Sequence, residues 1–291
     1  MKKTLFILCI CLSLILSSCN TAEVEYCIYY GTSDGEVVGL PESDIKIKSA
    51  TEKVFNISNR TSIEKGDDYK PSCVIAIGSR SYDLNYVRTY RTELHTSEKH
   101  RELSEIDRFI VDNRIVAEYI SGTDVLLSYF EGGDEIRFVN GDLTENKAKE
   151  LSETVIKAQY GEEVLSEYVF EKASYTDDES GRTYTVTYTK FVHGMKTNDN
   201  IRLVFNMQGE LIGLSAKYFG VYKYAEDDVS SEQIKKAREA LIESVSDDWT
   251  IYEESMLLII DSLGDYYLEA AANNNKGQGE MSFIQLYINV K

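Results

Sequence analysis

"YTVTYTKFVHGMKTNDNIRLVFN" (184–206) can be laid over "YLEAAANNNKGQGEMSFIQLYIN" (267–289) without a gap. Tyr184 meets Tyr267, Gly194 meets Gly277, and Ile201, Leu203 and Asn206 meet Ile284, Leu286 and Asn289, at a constant offset of 83. Both stretches alternate apolar and polar residues on either side of a glycine-bearing turn, the pattern of paired half-buried strands. A helix precedes each. Residues 145–159 place Ala148, Leu151, Val155 and Ala158 three and four apart, with Thr144 before them as N-cap. Ser230 and Gln233 form a capping-box pattern ahead of Ile234, Ala237, Leu241 and Val245. In the helices the offset is 86, pairing Leu151 with Ala237, Val155 with Leu241 and Ile156 with Ile242, so the second link is three residues shorter. Any helix followed by alternating strands would align to some degree. The matching order of elements favours a true internal repeat.

Outward from this unit, short strand-like runs fill the rest of the chain. "YCIYYG" (26–31), "IKIKSATEKVFNI" (45–57), "VIAIG" (74–78) and "YDLNYVRTYRTEL" (82–94) alternate or are continuously apolar. Asp112-Asn113 is expected to turn a hairpin, because both residues tolerate left-handed backbone, and Gly132-Gly133 to turn another. Asn206 to Gly209 should close a third. The expected class is α+β: several antiparallel sheets, each packed with one helix, with the helix-then-strands repeat in the C-terminal half. The expected segments are 1–18, 19–142, 143–228 and 229–291.

The only long apolar run lies at the N-terminus. Lys2 and Lys3 precede an apolar core, Leu5 to Leu16, which ends in Leu16-Ser17-Ser18-Cys19. The core is too short for a comfortable bilayer crossing, which takes about 20 residues. It has the layout of a secretory signal. The aliphatic residue, two small residues and cysteine resemble the lipobox of bacterial lipoproteins. That resemblance implies cleavage after residue 18 and a lipid on the Cys19 thiol, with palmitate among its acyl chains. The mature protein would then be held at the extracytoplasmic face of the cell membrane without spanning it. The bland reading is an ordinary signal with an incidental cysteine. Cys9 and Cys11 leave too little apolar length upstream to serve instead.

The helix followed by "TYTVTYTKFVHGMKTNDNIRLVFNMQGELIGLS" (183–215) is similar to the PepSY domain, a small secreted α+β module. The strand into His193-Gly194, the polar spacer with Asp199, the strand Ile201 to Asn206 and the Gly209-Glu210-Leu211 turn carry the likeness. It covers about residues 143–220 well, 229–291 less well, and the first 140 residues only loosely. Such modules occur in metallopeptidase propeptides and in bacterial lipoproteins, spore-germination proteins among them. The resemblance implies a binding or regulatory role, and it brings no catalytic residues.

Composition narrows the partners. With 31 Lys+Arg against 49 Asp+Glu, the net charge is −18, and loss of Lys2 and Lys3 makes it −20. So acidic a chain is not drawn to nucleic-acid phosphates. Cys27 and Cys73 remain in the folded part, where they pair as a disulfide or stay as separate thiols. His95 and His100, with Glu98 and Glu102, lie in a charged stretch that reads as solvated surface rather than a metal site. His193 reads as structural. No HExxH, GxSxG, P-loop or GxGxxG pattern occurs, and the acidic clusters at 177–179, 226–228 and 247–248 suit turns and helix starts. The tyrosines alternating along 82–90 and 184–188 fill a sheet face in the simplest reading.

No cofactor, metal or catalytic residue is expected. The expected function is that of a non-enzymatic lipoprotein binding a protein or peptide, with a peptidase or germination system as the partner the resemblance implies. The alternative is an extracytoplasmic hydrolase with an unrecognised site. A docking point is also expected. The counterpart of Gly209 falls one place beyond Lys291, so the uncharged strand 281–290 would lack the return strand of the first copy. It would offer an edge for β-augmentation unless another segment of the chain covers it.

Overall fold

The computed structural model describes residues 28–30, 51–52, 60–77, 80–94, 102–179, 181–216, 218–245, 247, 249–261, 264–274 and 283–290. In chain order the strands before the first helix are β1 (Ile28–Tyr30), β2 (Thr51–Glu52), β3 (Arg60–Ile63), β4 (Cys73–Ile77), β5 (Arg80–Leu94), β6 (Glu102–Val111), β7 (Ile115–Ile120) and β8 (Leu126–Glu131). Helices α1 (Asp134–Arg137), α2 (Glu145–Tyr160) and α3 (Val164–Glu167) follow. Then come β9 (Tyr168–Asp178), β10 (Gly181–Val192), β11 (Met195–Asn206) and β12 (Leu211–Ser215). Helices α4 (Ala225–Asp228) and α5 (Ser231–Glu243) lead to β13 (Trp249–Ile260), β14 (Tyr266–Asn274) and β15 (Phe283–Asn289).

The class is mainly β, which overturns the expected α+β arrangement of separate helix-packed sheets. The strands join into one mixed sheet in the order β2-β1-β15-β14-β13-β11-β12-β8-β7-β6-β5-β3, with β10 and β9 branching from β11 and β4 lying beside β5. Among the described residues only α2 and α5 exceed four residues, and β3 to β8 have no long helix of their own. The units are fused by backbone pairing: β12 with β8 antiparallel, and β11 with β13 parallel at Thr197 and Leu258. Such ladders are made by main-chain groups that every residue carries, so no side-chain pattern announces them.

A helix followed by a three-strand meander does occur twice, as α2 with β9–β11 and α5 with β13–β15. Thr144 caps α2 by accepting from the Lys147 N–H, and Ser230 and Gln233 form a reciprocal capping box on α5. Each helix covers its own core. Ala148 and Ile156 join Val186, Leu203 and Phe205 in the first, and Ile234, Ala237 and Leu241 join Leu258, Leu268 and Leu286 in the second.

Next to β11 the return strand is β12, with Leu203 opposite Leu214 and Val204 opposite Gly213. Next to β15 that place is taken by β1, with Leu286 opposite Tyr30, Tyr287 opposite Tyr29 and Ile288 opposite Ile28. Leu203 and Leu286 are equivalent in the repeat, so β1 takes the place and the antiparallel direction in the second meander that β12 has in the first. Over Leu286–Ile288, β15 has β14 on one side and β1 on the other, so the strand is no open edge there. The expected docking point is withdrawn.

Two turns illustrate how local chemistry decided the rest. Asp112 and Asn113 both take positive φ, 50° and 54°, in the tight turn between β6 and β7. Gly132-Gly133 turns no hairpin. The Gly132 N–H ends the ladder on the Arg114 carbonyl, and Gly133, at φ 132°, leads into α1, whose first turn carries Asp134 and Glu135.

Candidate functional site

Helix α2 buries Ala148, Ser152, Ile156 and Tyr160, a stripe at every fourth residue. The apolar face visible in the sequence was wider and centred elsewhere, on Leu151, Val155 and Ala158. Leu151 and Val155 are half-buried against the edge of the core, and Ala158 is exposed. They form one flank of a cavity of about 330 Å³ whose opposite wall is Ala76, Ile77 and Arg80 at the end of the β4–β5 hairpin. Its floor is Phe205 and Leu211. Gly209 closes one end: its φ is +81°, and a Cβ there would meet the Leu151 Cδ1 at 3.0 Å.

A second cavity, about 500 Å³, continues from the first and shares Ala76 and Gln159 with it. It follows β4 back through Cys73 to Pro71 and is bounded by Tyr119, Asp107 and Asp124. The two make one groove along β4. Strand β4 pairs with β5 from Cys73↔Leu84 to Ile77↔Arg80, and among the described residues no other strand pairs with it. It turns Ile75 and Ile77 into the core and leaves Val74 62% exposed.

The groove walls are fixed by buried polar contacts. The Arg80 guanidinium lies 2.8 Å from Glu131, donates to the Leu211 carbonyl at 3.0 Å and approaches Glu210 at 3.9 Å. Glu131, almost wholly buried, also accepts from the Tyr82 and Tyr129 hydroxyls at 2.8 and 2.5 Å. This ties β5, β8 and β12 together at the apolar end. At the other end Asp107 accepts from Tyr69 and Thr89 at 2.8 and 2.6 Å, while Asp124 stands exposed. The cluster at Glu131 was not foreseen. Its residues sit on three strands with no spacing in common, although "VIAIG" without a charge was a visible strand signal.

The foreseen residues are scattered. Cys19, Cys27, His95 and His100 lie outside the described residues. Cys73 carries a free thiol in the groove, and burial pushes its pKa up, with Asp124 adding to the rise and a hydrogen bond from Tyr119 opposing it. Such a thiol stays protonated and is a poor nucleophile. His193 takes φ 48° in the β10–β11 turn, and its Nε2 lies 2.8 Å from the Val229 carbonyl and 3.2 Å from that of Glu226. It fastens the tip of the first meander to the link before α5.

Asp199 is fully buried near the join of β11 with β13. Its Oδ2 accepts from the Tyr168 hydroxyl at 2.7 Å, and its Oδ1 has no hydrogen-bond partner of good geometry. Burial pushes its pKa up to about 7, while Tyr168, Lys190 and the Gly220 N–H pull it down. Glu269 on β14 is likewise raised to about 7 by burial, with Gln285 donating to it at 2.8 Å. Neither carboxyl lines the groove. Acid–base chemistry needs a perturbed group that faces substrate; Asp199 faces packed protein, and Glu269 is half-buried on β14, away from the groove. Among the described residues, no group of three or more His, Cys, Asp or Glu is placed to hold a metal ion, and no helix is long and apolar enough to cross a membrane.

No family model and no curated protein matches the chain. Among solved structures it is similar to the Bacillus megaterium YpeB C-terminal domain. The identity is 15%, the match covers 77% of this chain and 86% of that one, and the TM-score is 0.32. So loose a likeness decides neither the fold nor the function.

Proposed function

We propose that the protein is a membrane-anchored, extracytoplasmic lipoprotein that acts without catalysis, as a PepSY-like module that binds an extended segment of a protein or peptide partner. One observation carries the binding role: an uncharged edge strand, β4, runs beside a groove whose far wall is the apolar flank of α2 at Leu151, Val155 and Ala158. An edge strand offers unpaired backbone groups, and native proteins blunt such edges with charge or cover. A groove beside one is a site for strand addition, in which main-chain hydrogen bonds supply affinity and alternate side chains supply specificity. The hydrolase alternative gains nothing from the geometry, since the two raised carboxyls face away from the groove and the thiol in it is protonated.

The test is selection of displayed random peptides on the parent and on Ala158→Glu. Ala158 is exposed on the α2 flank, so the change leaves the core intact and places a charge in the groove. The parent should enrich a peptide family that the variant does not. Equal enrichment by both, or none by the parent, overturns the reading. The anchor has its own test. Cys19→Ser should release the protein from membranes or leave it unprocessed, and a variant that fractionates and migrates like the parent contradicts the lipobox.

A further inference from the structure

The two ends of the groove differ in chemistry. At the end by Ile77 the walls are Val155, Ala158 and Leu211, and the cation there, Arg80, is engaged by Glu131 and Glu210. At the end by Cys73 no lysine or arginine among the described residues contributes to the lining, and Asp124 and Asp107 supply negative charge. The whole chain adds a net charge of −18 to that local asymmetry. A basic occupant is therefore attracted at long range and favoured at one end of the groove alone.

Ile77 and Cys73 are four residues apart on β4. At about 3.3 Å per strand residue this is roughly 13 Å, and residues an even number apart point to the same side. An added strand would therefore present to the two ends a pair of its own side chains about four positions apart. Val74 and Ala76 project outward on β4 between them, an apolar surface for the cross-strand neighbours of such a strand.

Resting on the binding reading above, we propose that the occupant is a basic peptide that pairs with β4 as an added strand. It sets one apolar side chain between Ala158 and Leu211 and a lysine or arginine about four positions away against Asp124.

The experiment uses two fluorescein-labelled peptides of serine and threonine, each with one leucine. The first carries a lysine and the second a glutamate about four positions from the leucine. Anisotropy titrations are run on the parent, Asp124→Lys and Ala158→Glu. Asp124 is exposed, so its reversal spares the core, which the thermal midpoint verifies. The parent should prefer the lysine peptide, Asp124→Lys should weaken that peptide about fivefold and strengthen the glutamate one, and Ala158→Glu should abolish both. Equal binding of the two peptides to the parent, or indifference to Asp124→Lys while Ala158→Glu still blocks, overturns the basic specificity and leaves the groove reading intact. Binding of neither peptide to the parent, or binding that Ala158→Glu leaves untouched, overturns this assignment. If the selected peptides fail as well, the groove reading falls with it. A self-association of the chain that Ala158→Glu disrupts and the lysine peptide does not displace makes a second copy the occupant, and that too overturns the proposal.

Discussion

One buried carboxyl, Asp199, contributes a pH dependence to the stability of this protein. In the unfolded chain it ionises near its ordinary value of 3.8, whereas in the core burial holds its pKa up at about 7. Between those values the folded state binds more protons than the unfolded state, so stability falls as pH rises from about 4 to about 7 and is level above that. Each pKa unit corresponds to about 1.4 kcal/mol, so the effect is on the order of a few kcal/mol. Asp199→Asn keeps an acceptor for Tyr168 and cannot ionise. Its thermal midpoint should match the parent near pH 4 and exceed it at pH 8. Glu269, shifted the same way, leaves a residual slope that Glu269→Gln removes. Equal pH dependence in parent and Asp199→Asn would show that the carboxyl is not buried as described. Asp199 stands out in the sequence as part of a polar spacer, yet its burial was not legible. That burial comes from the stacking of Tyr160 and Tyr168 on Phe219 and from the strand join beside it, contacts between residues far apart in the chain.

At the scale of elements, what proved readable was what local chemistry decides. The caps at Thr144 and Ser230 and the paired left-handed turn at Asp112-Asn113 each depend on a few adjacent residues. The turn at Gly132-Gly133 was misread because glycine permits both a hairpin and a helix start, and the acids that follow favour the helix. Helix α2 lay between these cases. Its period was clear, but its apolar residues served two masters, and the sequence cannot say which face meets the core. Ala148 and Ile156 go inward, while Leu151, Val155 and Ala158 line the groove. The apolar period of α2 and the uncharged run at β4 were the traces of the candidate site in the sequence.

For the whole molecule, strand order is what the sequence hides. The repeat predicted a missing neighbour for β15, and the missing neighbour exists: β1, drawn from the other end of the chain and antiparallel to β15 as β12 is to β11. The argument for an open edge then moves to β4, which has the same lack of charge and one strand neighbour among the described residues. The most direct test of peptide binding along β4 is backbone hydrogen exchange across the chain, with and without a saturating amount of the lysine peptide. Strand addition predicts that amides within Cys73–Ile77 slow by about tenfold or more, because free-edge groups gain hydrogen-bond partners. Saturation of the peptide with unchanged exchange in Cys73–Ile77, and protection elsewhere, would contradict it.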